Sequence, residues 1–172
     1  AVIGLLTYLA DDQMLRNLSL WQMGSLAAGK PVDVALALLT LVALLILFLR
    51  DANPLNALLL GEGEARHLGI QVQSLKRRLI LLTAAGVGMA VAVAGMIGFV
   101  GLVVPHLVRL LAGPNHVRLL PLSALLGAAL LLGADMLART LLAPAEMPVG
   151  IITALLGAPF FIWLLVKGRR TL

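Results

Sequence analysis

RDANPLNALLLGEGEARHLGIQVQSLKRR, residues 50–78, is the one long polar run in a chain that otherwise reads as lipid-soluble helix. It opens on Arg50 and Asp51 and closes on Lys76, Arg77 and Arg78. Basic residues at both ends mark where two membrane helices surface on the same, cytoplasmic side. The interval leaves room for one or two short helices. We therefore read 50–78 as a cytoplasmic loop, and as the part of the chain with most to offer a partner.

Outward from that loop, composition sets the class. Of 172 residues, 61% are hydrophobic and 12% charged, with a mean hydropathy of +1.05. A soluble domain carries about a quarter charged residues, so this chain belongs in a bilayer. The net charge of +5 is no nucleic-acid footprint: the Lys and Arg flank apolar runs, and only 4% of residues are aromatic, too few for base stacking. Cysteine is absent, which excludes a disulfide framework, a thiol nucleophile and a thiolate metal site. The chain opens directly on apolar residues, with no initiator Met and no basic leader. We expect it to begin partway through a membrane helix of a longer protein.

The apolar runs predict an all-α, polytopic helical bundle forming a single domain over 1–172, with about five full spans after a truncated first one. Ala1 to Ala10 is about half a span, and residues 13–31, with Trp21, suit a short interfacial helix. The five spans are Val32–Leu49, Leu79 to about Ile97, Gly98–Ala112 interrupted by Pro105, Leu119 to about Leu137, and Val149–Val166. Ala84, Gly88 and Ala92 stand one turn apart, as do Ser123 and Gly127, and such pairs let helix backbones approach closely. Pro148 suits the first turn of the last helix, with Glu146 beside its positive end. With 50–78 inside, alternation puts ten of the 13 basic residues inside and leaves Arg16, Lys30 and Arg139 outside, the expected bias.

Several stretches invite a chemical reading. Gly24 to Lys30 approaches a phosphate-binding loop, but Pro31 stands where a Ser or Thr must reach Mg²⁺ and no strand precedes it. Asp135 and Arg139 are four apart and share a helix face. They read as a local ion pair, or as an arginine presented outward to an acidic partner. His106 follows Pro105 inside a span; its plain reading is a neutral imidazole hydrogen-bonded to a neighbouring helix, against a ligand or proton-relay role. His67 and His116 form no spaced metal cluster with it, and the six Met are packing filler. Asn17 fits a glycosylation tripeptide that is common by chance, and Lys76, Arg77 and Arg78 suit anionic headgroups. No serine has a spaced His/Asp partner, and no pair of carboxylates lies within a span, which argues against an enzyme. All five Asp and three Glu lie near span ends or in loops. An ion-coupled secondary transporter, the alternative, should carry a carboxylate at mid-membrane.

GMIGFVGLVVPHLVR, Gly95–Arg109, resembles the signature segment of permease subunits in iron-siderophore, haem and vitamin B12 ABC importers. Further blocks resemble that family in the same order: WQMGSL (Trp21–Leu26), ARHLGI (Ala65–Ile70), Leu120–Asp135, PAEMPVG (Pro144–Gly150) and GAPF (Gly157–Phe160). Family members have about ten spans and roughly twice this length, so the chain resembles their C-terminal half, from within the fifth helix. The resemblance implies a multi-pass subunit of the bacterial inner membrane, working as a homodimer with a cytoplasmic ATP-binding subunit and a periplasmic substrate-binding protein. It implies no cofactor and no catalysis by this chain. Residues Pro54–Gln73 would form coupling helices held by the ATPase, with Glu64, Ala65 and Arg66 in the gripped motif and Gly69 at the turn. Arg139 falls where the family presents an arginine to the binding protein. Gly98, Gly101, Pro105, His106, Pro148, Gly157 and Pro159 fall at structural signature positions. Substrate stays open among ferric siderophore, haem and cobalamin.

Overall fold

The computed structural model describes residues 10–26, 29–141 and 147–168, with side chains to Trp163 in the last segment. The expected half-span Ala1–Ala10 (save its last residue), Pro144, Glu146 and the basic tail at Lys167, Arg169 and Arg170 lie outside the described residues or side chains. Among the described residues every regular element is an α-helix: α1 Asp12–Gln22, α2 Pro31–Arg50, α3 Ala52–Leu58, α4 Glu62–His67, α5 Val72–Ala94, α6 Val100–Ala112, α7 His116–Leu141 and α8 Val149–Gly168.

Three of these, α2, α5 and α7, are long and apolar enough to cross a membrane, at 20, 23 and 26 residues. Leu81, Leu111 and Leu125 stand 70%, 84% and 69% exposed, an apolar surface that only lipid or further protein covers. The protein is a multi-pass membrane protein. The sequence reading counted five full spans; α6, at 13 residues, is about 20 Å long, short of the roughly 30 Å hydrocarbon core.

α7 organises the packing. Val104 and Val108 of α6 close on its first half at Leu119, while Val149 and Ile152 of α8 close on Ala134 and Ala138 in its second half. Gly127 is buried beside Val100 and Val104, at ordinary contact distance from where a Cβ would stand. Among the described residues nothing lies within 4 Å of a Cβ built on Gly88, and the close glycine of α5 is Gly86, against Leu44 of α2. Small-residue spacing alone did not say which side of α5 faces α2.

Helix boundaries also differ from the sequence reading. α5 begins at Val72 rather than Leu79, because Lys and Arg are good helix formers and Val72 and Leu75 bury themselves in its first turn. Pro105 does not interrupt α6, which runs through it. α7 extends to Leu141, so Arg139 sits in its last helical turn, where a cation favours the helix dipole. Pro148 stands one residue before α8 rather than inside it.

A main-chain junction fixes the start of α8. The Gly150 N–H donates to the Met23 carbonyl at 3.1 Å, and the Ser25 N–H to the Ala94 carbonyl at 2.9 Å. A Cβ on Gly95 would run into the Trp21 carbonyl, and one on Gly150 into that of Met23. Gly95 also has φ +72°, which an L side chain resists. Three segments meet there backbone to backbone.

Candidate functional site

The loop between α2 and α5 is folded, not slack. α3 and α4 fill it, two short helices where the sequence allowed one or two. Asp51, at the α2–α3 corner, is 2% exposed and pairs with Arg78 of α5. Its second oxygen, Oδ2, has no partner among the described residues. Removing a carboxylate from water is costly unless it is paired, so this ion pair pins the two ends of the loop together. Sequence reasoning treated Arg78 as a topology signal and a candidate headgroup contact, and gave Asp51 no role.

α4 carries the sequence-predicted coupling motif. Glu62 pairs with Lys76 of α5 and, at 3.7 Å, with Arg66. The Lys76 ammonium, donating to the Glu62 carboxylate, holds that acid below the usual carboxylate range. α4 then ends in a glycine-capped turn: the Gly69 N–H donates to the Arg66 carbonyl at 2.9 Å and the Ile70 N–H to that of Ala65 at 3.0 Å. This is the Schellman pattern, and it needs a residue in the left-handed region; Gly69 has φ +82°. Glu64 and Arg66 are exposed, whereas Ala65 is fully buried. Ala65 therefore seats α4 from beneath and offers no surface of its own. Leu59, Leu60 and Leu68 are 52%, 69% and 64% exposed, so the loop presents apolar side chains beside its charges.

The loop is also bonded to α7. Asn56 of α3 accepts the His116 backbone N–H at 2.7 Å and donates to Asn115 Oδ1 at 3.0 Å. Asn115 in turn accepts the Val117 N–H at 3.0 Å, so it caps α7. Sequence reasoning missed Asn56; a lone Asn in a polar loop carries no spacing signal.

At the far end of α7, Arg139 Nε donates to Asp135 Oδ2 at 2.8 Å, with the Arg139 side chain about half exposed at 49%. The signature residues gather elsewhere. His106 meets Phe160 of α8 edge-on, ring centroids 6.3 Å apart, a packing contact in place of the expected hydrogen bond. A Cβ on Gly157 would collide with the Phe99 side chain, and Phe99 is the one described non-glycine residue at positive φ. Among the described residues nothing lies within 4 Å of a Cβ built on Gly98 or Gly101. Pro159 lines an open apolar cleft of about 530 Å³ with Met23, Met96 and Gly150. Among the described residues no group of acidic and histidine side chains could hold a metal ion.

Comparison with known proteins agrees with this layout. Residues 1–167 match the model of the FecCD transport family. The chain is 54% identical over 170 residues to the hemin transport system permease protein HmuU of Yersinia pestis, covering 99% of this chain and 51% of that protein. It is 48% identical over 169 residues to the vitamin B12 import system permease protein BtuC of Vibrio cholerae, covering 98% and 51%. A solved chain described as an inward-facing conformation of a metal-chelate type ABC transporter superposes with a TM-score of 0.89 at 38% identity, over 96% of this chain and 54% of that one. The chain spans about half the length of the curated relatives it matches.

Proposed function

The chain belongs to the FecCD transport family, and from that premise we propose that it supplies the C-terminal half of a permease subunit in an ATP-driven importer of iron complexes, haem or cobalamin. In this reading substrate passes from a periplasmic binding protein to the cytoplasm of a bacterium, across the inner membrane, along a path between two permease copies. Hydrolysis belongs to a separate ATP-binding subunit. The permease itself does no chemistry; it supplies two packings close in energy, which the nucleotide state of the motor and the loaded binding protein bias differently. α6 and α8 complete the crossing with α2, α5 and α7.

The observation that carries the reading is the folded loop 50–78, braced at both ends by Asp51–Arg78 and exposing Leu59, Leu60, Glu64, Arg66 and Leu68 together. A rigid patch of that composition suits a protein partner more than a lipid headgroup. Glu64, Arg66 and the Gly69 turn form the gripped surface, and Arg139 meets the binding protein. Haem-type iron complexes are the favoured cargo, since the hemin permease shares 54% identity and the vitamin B12 permease 48%. An ion-coupled secondary transporter is disfavoured: the described acidic residues sit at helix ends or in loops, from Asp33 in the first turn of α2 to Asp135 near the end of α7. The test is purification of the full-length permease with its ATPase from membranes, followed by haem and cobalamin uptake into vesicles loaded with ATP. ATP-independent uptake driven by an ion gradient would overturn the assignment.

A further inference from the structure

Resting on the permease reading, we propose that Asn56 is a positioning residue that locks coupling helix α3 to the head of α7, so that α7 moves with the loop. The two helices are far apart in sequence, Asn56 and His116 being 60 positions apart, yet α3 packs directly on α7. The first N–H groups of any α-helix lack partners within it. In α7 the His116 N–H is capped by the Asn56 side chain and the Val117 N–H by Asn115. Asn56 thus serves as a cap supplied by another helix. Its oxygen also lies 2.9 Å from His116 Nδ1, which donates in the Nδ1–H tautomer, and its amino group donates to Asn115 Oδ1.

A carboxamide suits this place because the bond set needs a donor and an acceptor on one flat group. A carboxylate keeps the acceptor but sets oxygen against Asn115 Oδ1; an aliphatic side chain supplies neither. α7 is 26 residues long, about 39 Å at 1.5 Å per residue, and its far end carries Arg139. One continuous helix, held at its base by Asn56, thereby joins the loop assigned to the motor with the arginine assigned to the binding protein. Rigid elements of this kind carry coupling between distant sites.

The experiment uses the full-length transporter, assembled with its ATPase and reconstituted in vesicles with the binding protein. For Asn56→Leu we expect ATPase copurification and basal hydrolysis within about twofold of wild type, and stimulation of hydrolysis by the loaded binding protein reduced about tenfold, within the range of measured coupling factors. Asn56→Asp retains the His116 cap and should lose less. Unchanged stimulation in Asn56→Leu overturns the proposal, as does loss of ATPase copurification, which would make Asn56 a mere folding residue of the loop. A second measurement leaves Asn56 intact: spin labels at Asn53→Cys and Leu122→Cys should keep one separation with and without ATP, and a change of more than about 4 Å, comparable to one helical turn of slip, also overturns it. If wild type binds no ATPase, the permease reading itself has failed, which is a distinct result.

Discussion

The carboxylate of Asp51 and the guanidinium of Arg78 join the exit of α2 to the second turn of α5, across 27 residues of chain. The acid is buried while the arginine side chain is half exposed. That asymmetry makes the two deletions unequal. Arg78→Ala leaves a buried charge with no partner, at a cost of about 3–5 kcal/mol. Asp51→Asn removes the charge together with the pair and should cost clearly less. Thermal unfolding of the detergent-solubilised permease compares them; an Asp51→Asn loss equal to or larger than that of Arg78→Ala contradicts the assignment of burial as the cause.

The main-chain junction predicts a sharp division among glycines. Gly95→Ala and Gly150→Ala put a methyl group into a carbonyl of the α1 segment, and each should destabilise by about 3 kcal/mol or more. Gly63 lies in α4 with open space around it, so Gly63→Ala should be neutral or gain about 0.5–1 kcal/mol from helix propensity. The same melting assay reads all three. Equal effects at Gly63 and Gly150 would remove the steric explanation.

The turn after α4 is expected to matter to the motor. Gly69→Asp puts a side chain where φ is positive and should reorient the exposed face of α4. Glu64→Lys reverses charge on that face without touching the turn. Each should weaken ATPase association about tenfold, the weight of one charged contact at the edge of an interface or one lost cap. Association measured in detergent decides; if both variants hold the motor as wild type does, the gripped surface lies elsewhere.

Arg139→Glu should lower capture of the loaded binding protein about tenfold and leave ATPase assembly intact. Asp135→Asn, which removes one intramolecular ion pair of Arg139, should leave capture equal or better, because one ion pair fewer has to be abandoned on docking. Weaker capture in Asp135→Asn would mean that the pair positions the arginine.

Glu62 gives a pH dependence of defined sign. The Lys76 hydrogen bond lowers its pKa in the folded loop. The pair therefore stabilises the loop above the ordinary carboxylate range and stops doing so as pH falls through the folded value. Protection of the α4 amides, taken relative to their intrinsic exchange rates, should be constant from neutral pH down to the ordinary glutamate range and fall below it. In Glu62→Gln that acid-induced step should vanish.

How much was legible follows from what each signal encodes. Apolar runs and basic flanks are one-dimensional, so the long helices α2, α5 and α7 and the polar loop could be read directly. The resemblance to importer permeases, carried by GMIGFVGLVVPHLVR and the blocks around it, agrees with the match over residues 1–167. Pairings across sequence left no such trace: Asp51 with Arg78, Asn56 with His116 and Phe99 with Gly157 each needed the fold. Gly88 shows the opposite failure, a regular motif whose face meets no described neighbour, while Gly86 beside it touches Leu44. Ala65 sits in the motif between Glu64 and Arg66, and which face of α4 is buried could be read only from the fold.

Where Gly150 meets the Met23 carbonyl and Gly95 the Trp21 carbonyl, backbone lies on backbone, with no rotamer between them to flip and no methyl group to slide. Any rocking of α8 against α1 and α5 must pivot around that contact, as a lever does on its fulcrum, leaving the largest excursions to the helix ends remote from it.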